Sequence, residues 1–409
     1  MGILERIKDI EAEMARTQRN KATMSHLCRL KAQLAKLRAQ VMEGPAGSSS
    51  AGPGDGFEVS KTGSARIALI GFPSVGKSTL LSALTGTESL ACAYEFTTLT
   101  CVPGNIQYMG TKIQLLDLPG IIQGAAHGAG RGRQVIACTK SCDMILMILD
   151  AAKEQEKNHR AILERELELA GLRLNKRPPN IAFSKKKTGG VKFNVSGCKL
   201  TQFGEDPEKT VRSILQEYKI HNCEVLIRED CSPEDFIDLI QGNVKYIKCL
   251  YAYNKVDMVT VEEMDALARK PHSTVISCNV QLNLDGLLSD VWRCLDLTRI
   301  YTRKRGQPPD FSEPVVLTKG RHGITVESSC LQIHRGMIDN FNYANVWGQS
   351  CKFSPQRCGL SHILKDEDVV EIVTKTNVQQ RRMRDYSKKV QQHYDAIKAK
   401  RKAKGKLKT

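Results

Sequence analysis

The stretch Gly71-Phe72-Pro73-Ser74-Val75-Gly76-Lys77-Ser78-Thr79 has the GxxxxGK[ST] spacing of a phosphate-binding loop. Its glycines let backbone N–H groups curl around an anion, and a helix starting at the loop's end adds the positive end of its dipole. Lys77 can then reach β- and γ-phosphates as a catalytic cation, and the Ser78 hydroxyl can ligate Mg²⁺. Asp117-Leu118-Pro119-Gly120 offers a carboxylate for Mg²⁺, directly or through water, and a Gly120 N–H for a γ-phosphate. Between them Phe96-Thr97-Thr98 carries a hydroxyl, on Thr98, that completes the Mg²⁺ shell only while the γ-phosphate is present.

Asn254-Lys255-Val256-Asp257 adds base selection. The Asp257 carboxylate can accept hydrogen bonds from the N1–H and the exocyclic amine of guanine. Adenine lacks that donor pair and would leave the carboxylate unpaired, a penalty of about several powers of ten. Ser277-Cys278-Asn279 follows, where a backbone N–H can meet the base oxygen. Each fragment alone has an ordinary explanation, such as a solvated turn or a strand end. All of them in this order point to a guanine nucleotide with Mg²⁺.

These residues need strand ends to hold them. The apolar runs Ile67 to Ile70, Ile113 to Leu116, Met144 to Leu149, Ile247 to Tyr253 and Thr274 to Ile276 alternate with helical stretches, which predicts a doubly wound, mostly parallel α/β sheet. Residues 66–171 and 245–298 form this expected nucleotide-binding domain. The segment 172–244 breaks the rhythm with a hairpin-like KKKTGG stretch and reads as an inserted domain. Residues 299–375 read as a small α+β domain, with strands at Glu313 to Leu317 and Val369 to Val373 and a helix over Ser329 to Ile338. Residues 1–43 carry two helical stripes, a hairpin or one broken coiled coil, and a Gly/Ser/Pro-rich linker, 44–65, follows. Residues 376–409 look like a basic amphipathic helical tail.

The chain has 409 residues and a net charge of +17, from 61 basic and 44 acidic side chains. Residues 1–43 hold +4 and residues 375–409 hold +11, so the body between them is only about +2. Basic ends on a near-neutral body suit contact with RNA, a nuclear-import signal at 398–406, or plain solubility. The 14 cysteines form no CxxC pair, and the start has no signal-peptide pattern, so free thiols in a reducing cytoplasm are expected. Cys138 and Cys142 fit one helix better than a zinc site. No apolar run is long enough to span a bilayer.

Together with ARTQRNKAT at 15–23, YEFTTLTCVPG at 94–104, GRGRQVIA at 130–137 and REDCSPEDFIDLI at 228–240, these motifs closely resemble the developmentally regulated GTP-binding (DRG) proteins of the Obg superfamily. The opening MGILE and YTRKRGQPPDF at 301–311 look more like the second of its eukaryotic subgroups. The resemblance runs from Met1 to about Lys375. It implies a helix-turn-helix, a P-loop GTPase domain with an insertion of the ribosomal S5 type, and a C-terminal β-grasp TGS domain. It also implies GTP hydrolysis to GDP and phosphate, a DRG-family regulatory protein as partner, and translating ribosomes.

In Ras-like enzymes a glutamine follows the glycine of the DxxG motif and orients the attacking water. Here that position is Ile121, which cannot align water, so slow hydrolysis helped by K⁺ or a partner is expected. Ser74 and carbonyls near Thr97 are where the resemblance would place K⁺. Gln123 stands where the family's pattern has an acidic residue and Ala129 where it has a lysine, and Arg131 and Arg133 are candidate transition-state cations or switch salt bridges. The competing reading is an RNA- or ribosome-binding scaffold that senses nucleotide with negligible turnover.

Overall fold

The computed structural model describes residues 2–18, 20, 23–43, 61–85, 101–119, 132–153, 158–197, 199–204, 206–319, 323–376 and 391–394. Thr98, Gly120, Ile121, Gln123, Ala129 and Arg131 lie outside them, as does most of the basic tail. The chain divides into two compact units, Met1–Tyr108 with Lys112–Leu295, and Met109–Thr111 with Asp296–Thr409.

The first unit is built on a seven-stranded sheet in which β1 (Ala65–Ile70), β3 (Thr111–Asp117), β4 (Met144–Asp150), β9 (Lys245–Asn254) and β10 (Ser273–Val275) run parallel. The edge strand β2 (Val102–Tyr108) lies beside β3. Every residue of β1 and β4 is buried, as expected of central strands covered on both faces. Strand alternation then sorts the core into two layers. Ala68, Ile70, Ile145, Met147 and Leu149 face one side, with Leu163 and Leu167 of α5 (His159–Leu169) and Val135 of α4 (Gly132–Ser141). Ile67, Leu69, Met144, Leu146 and Ile148 face the other, with Leu80 and Leu81 of α3 (Lys77–Thr85) and Leu287 of α9 (Leu284–Leu295). Each of those buried leucines contributes about 1.5–3 kcal/mol. This anchorage holds the first turn of α3 against the sheet end.

The inserted region differs from expectation in two ways. Leu172–Leu174, expected to open the insertion, is strand β5 and pairs in parallel with Lys245–Ile247 of β9. Its two leucines are buried, so the apolar side chains favour the main sheet. The KKKTGG stretch does not close a hairpin: β6 (Ile181–Lys185) and β7 (Val191–Val195) both pair with β8 (Cys223–Ile227), β6 antiparallel and β7 parallel. The alternating pattern of β8 buries Cys223, Val225 and Ile227, which suits a central strand better than β6 or β7. Against this sheet pack α6 (Pro207–Glu217) and α7 (Pro233–Gln241).

At the start of the chain, α1 (Ile3–Arg16) and α2 (Met24–Glu43) are two separate helices linked by an Arg38–Glu11 ion pair (2.7 Å) and a His26–Glu13 hydrogen bond (3.1 Å). Cys28 and Ala32 of α2 are buried in the core of the inserted region. Cys142, expected on one helix with Cys138, falls one residue beyond the end of α4.

The second unit is a five-stranded sheet in the order β12 (Pro309–Leu317), β11 (Thr298–Arg303), β15 (Asp368–Thr374), β13 (Phe341–Trp347) and β14 (Gln356–Cys358). Its helix α10 spans Val326–Ile333, starting earlier than the expected Ser329 because Thr325 caps it, its hydroxyl accepting from Ser328 N at 3.3 Å. A separate 3₁₀ turn, Arg335–Met337, follows.

Candidate functional site

The loops after β1, β3, β4, β9 and β10 all leave the same edge of the sheet, the carboxyl ends of its parallel strands, where such folds bind ligands. Register places Leu69 opposite Asp117 and Asp150 opposite Asn254, so residues distant in sequence share one rim.

Two glycines shape the phosphate loop. A Cβ on Gly71 would lie 2.4 Å from the Ile148 carbonyl oxygen. Gly76 has φ +94°, and a Cβ there would lie 2.4 Å from Asn254 Nδ2. Ser74, the exposed tip, also has a left-handed φ of 62°. Lys77 is buried at the head of α3 and its ammonium donates to the carbonyls of Phe72 (2.8 Å) and Gly71 (3.1 Å). Burial lowers the Lys77 pKa to about 8, against the opposing pull of the Asp117 carboxylate. A phosphate entering this loop would meet a cation held over the loop's own carbonyls.

The Ser78 hydroxyl donates to Asp117 Oδ2 at 2.6 Å, and Asp117 is fully buried. A hydroxyl against a buried carboxylate is the hard oxygen pair that Mg²⁺ takes, so these residues fit the ion.

On the base side, Asn254 works as a buried brace rather than a surface contact. Its Nδ2 donates to the Val75 carbonyl (2.9 Å), while its Oδ1 accepts from Lys255 N (2.9 Å) and Cys278 N (3.1 Å). The Cys278 N–H, in the segment expected to offer a backbone N–H to the base oxygen, donates to Asn254 Oδ1. Lys255 has φ 64°, and its ammonium reaches back to the Ser74 carbonyl (3.0 Å) and to Asp150 Oδ2 (2.8 Å). Asp257 sits exposed in the 3₁₀ turn Val256–Met258, where its Oδ1 accepts the Ser277 hydroxyl at 2.6 Å. Thr260 then caps α8 (Val261–Ala268) in a reciprocal box with Glu263, which fixes the chain just beyond Asp257.

The structure thus brings together Gly71, Pro73, Ser74, Val75, Gly76, Lys77, Ser78, Thr79, Asp117, Asn254, Lys255, Asp257, Ser277 and Cys278 on one rim. Sequence reasoning missed Asp150, which is buried and anchors Lys255. The signal was present: Asp150 ends the apolar run of β4 as Asp117 ends that of β3.

Residues 66–185 match a family model described as 50S ribosome-binding GTPase, residues 188–297 the C-terminal region of that domain, and residues 298–374 a TGS domain. Developmentally-regulated G-protein 2 of Arabidopsis thaliana is 61% identical over 375 residues, 92% of this chain and 92% of that one. Its Arabidopsis relative, Developmentally-regulated G-protein 1, is 60% identical with the same coverage. Developmentally-regulated GTP-binding protein 2 of Homo sapiens is 59% identical over 92% of this chain and its own full length. Identity of this order across a phosphate loop, its sheet and a TGS domain leaves one conclusion: the chain belongs to the developmentally regulated GTP-binding proteins, and it is a P-loop GTPase.

Proposed function

We propose that this GTPase is a slow guanine-nucleotide switch in cytoplasmic translation, accelerated by K⁺ or by a regulatory protein of the kind DRG-family proteins take, and acting on ribosomes. The observation that carries the reading is the brace between phosphate and base segments. Asn254 and Lys255 hold the Val75 and Ser74 carbonyls of the phosphate loop while Asp257 follows directly in the chain. Phosphate and purine contacts then move as one body, and a change at either end is felt at the other.

In this reading Lys77 leaves the Gly71 and Phe72 carbonyls for the β- and γ-phosphates, and Asp257 selects guanine through the N1–H and exocyclic amine. Ser78 and Asp117, with Thr98, hold Mg²⁺, which when bound neutralises charge on the β- and γ-phosphate oxygens. The Gly120 N–H meets the γ-phosphate, so hydrolysis frees both switch segments. Ile121 at the water-orienting position supports slow turnover, and the exposed, left-handed Ser74 is one contact expected of K⁺. The matched model's description as ribosome-binding and the +11 charge of residues 375–409 support ribosomal RNA as the target.

Single-turnover phosphate release in K⁺ against Na⁺ buffer, with and without ribosomes, tests this. Faster release in K⁺ and with ribosomes is expected; identical rates under all four conditions would sink the switch. Deleting residues 376–409 should weaken ribosome co-sedimentation most at low salt while leaving GTP affinity unchanged.

A further inference from the structure

In the second unit, far from the nucleotide motifs in sequence, three soft donors converge. Cys351, Cys358 and His362 follow a C-x₆-C-x₃-H spacing, and their Sγ and ring nitrogen atoms all lie within 4.8 Å of one another. Cys351 Sγ is 3.9 Å from His362 Nε2, and the Ser350 hydroxyl is 3.1 Å from the same nitrogen.

The backbone holds each donor in place. Antiparallel pairing of Ala344 with Cys358 and Val346 with Gln356 sets Cys358 at the end of β14. The intervening loop folds back through Cys351 N to the Gly348 carbonyl (3.4 Å) and Lys352 N to Gln356 Oε1 (2.9 Å). On the other side, the His362 carbonyl accepts from Val326 N (3.1 Å), and Leu364 N donates to the Ile324 carbonyl (2.9 Å). Two loops from opposite ends of the strand pair therefore present their donors to one point.

We propose that Cys351, Cys358 and His362 form a zinc site, with the Ser350 hydroxyl or a water as fourth ligand. Tetrahedral zinc with Zn–S of about 2.3 Å and Zn–N of about 2.0–2.1 Å places ligand sulfurs about 3.7 Å apart and sulfur from nitrogen about 3.5 Å. The observed separations require the donors to close by about 1 Å at most. Two thiols and an imidazole select a borderline-soft cation over Mg²⁺ or Ca²⁺, which take oxygen. The neighbouring Asp368 carboxylate is already used, accepting from Lys365 N (2.8 Å) and Ser350 N (3.4 Å), so it supports the loop rather than the ion. Binding releases both thiol protons to solvent while neutral His362 donates its Nε2 lone pair, with no change of oxidation state. The ion would clip the 348–355 loop to the 359–363 segment.

The test uses the full-length reduced protein equilibrated with zinc, freed of excess by gel filtration and analysed for metal by mass spectrometry. Wild type is expected to retain one equivalent more than Cys351→Ser, at a half-buried position, and more than His362→Asn. Cobalt substitution should give wild type a thiolate-to-metal charge-transfer band that Cys351→Ser weakens. Guanine-nucleotide affinity should be the same in all three proteins. Absence of zinc in the wild type, equal retention by the variants, or a Cys351–Cys358 disulfide that persists in the reduced preparation overturns the site.

Discussion

Nucleotide binding to the free protein should take up a proton at Lys77. Burial holds this ammonium at a pKa of about 8. A phosphate beside it favours the charged form and returns the pKa to at least its ordinary value of about 10.4. At about pH 7 roughly nine-tenths of free protein already carries the proton, whereas at about pH 8.5 only about a quarter does. Between those pH values GDP affinity should fall about fourfold, with about three-quarters of a proton taken up per GDP at the higher one. Guanine N1–H is still protonated there, so the base does not supply the effect. Without ligand the sign reverses: the cost of burying the ammonium is fully present below pH 8 and fades as pH rises through 8 towards the unfolded value. Calorimetric titration of Mg²⁺·GDP in two buffers of different ionisation enthalpy measures the uptake directly. Equal affinity at both pH values together with zero uptake at the higher one would refute the assignment of Lys77 to the phosphates.

Asp150→Ala removes the anchor of Lys255 and should cost about 1.5–3 kcal/mol of nucleotide affinity, seen as roughly a tenfold or greater rise in GDP release rate without loss of guanine preference. Asp257→Asn should weaken GTP binding by about two powers of ten or more and favour xanthine nucleotide, whose C2 carbonyl suits an amide donor; competition titration reads both. Arg173 makes two bonds to the buried Asp238 carboxylate (2.7 and 2.9 Å), so Arg173→Ala strands that charge and should cost about 3–5 kcal/mol of stability in denaturant unfolding. Replacing Arg173 and Asp238 together by Met and Leu should recover most of it.

Much of the rim was legible because its parts are contiguous. The phosphate loop, the Asp117 segment, the Asn254 segment and Ser277-Cys278 are each short words at the end of an apolar run, and a run of that length declares a strand locally. Two readings failed where pairing is not local. The KKKTGG turn looked like a hairpin, but β8 lies between its flanking strands because its alternating apolar residues bury best at the centre. Leu172–Leu174 looked like the start of an insertion, but two buried leucines bind it to β9, more than seventy residues on.

Amino-acid order alone thus determined the ligand chemistry of this GTPase and the family to which it belongs, since spacing within a motif is a covalent property of the chain. Tertiary structure decided which side chains serve the ligand and which serve one another. Asn254 and Lys255 turn inward to brace the phosphate loop through Val75, Ser74 and Asp150, and Cys351, Cys358 and His362 meet across two loops. Such meetings depend on strand register and on which hydrogen-bond acceptor lies nearest after folding, and no local spacing encodes either.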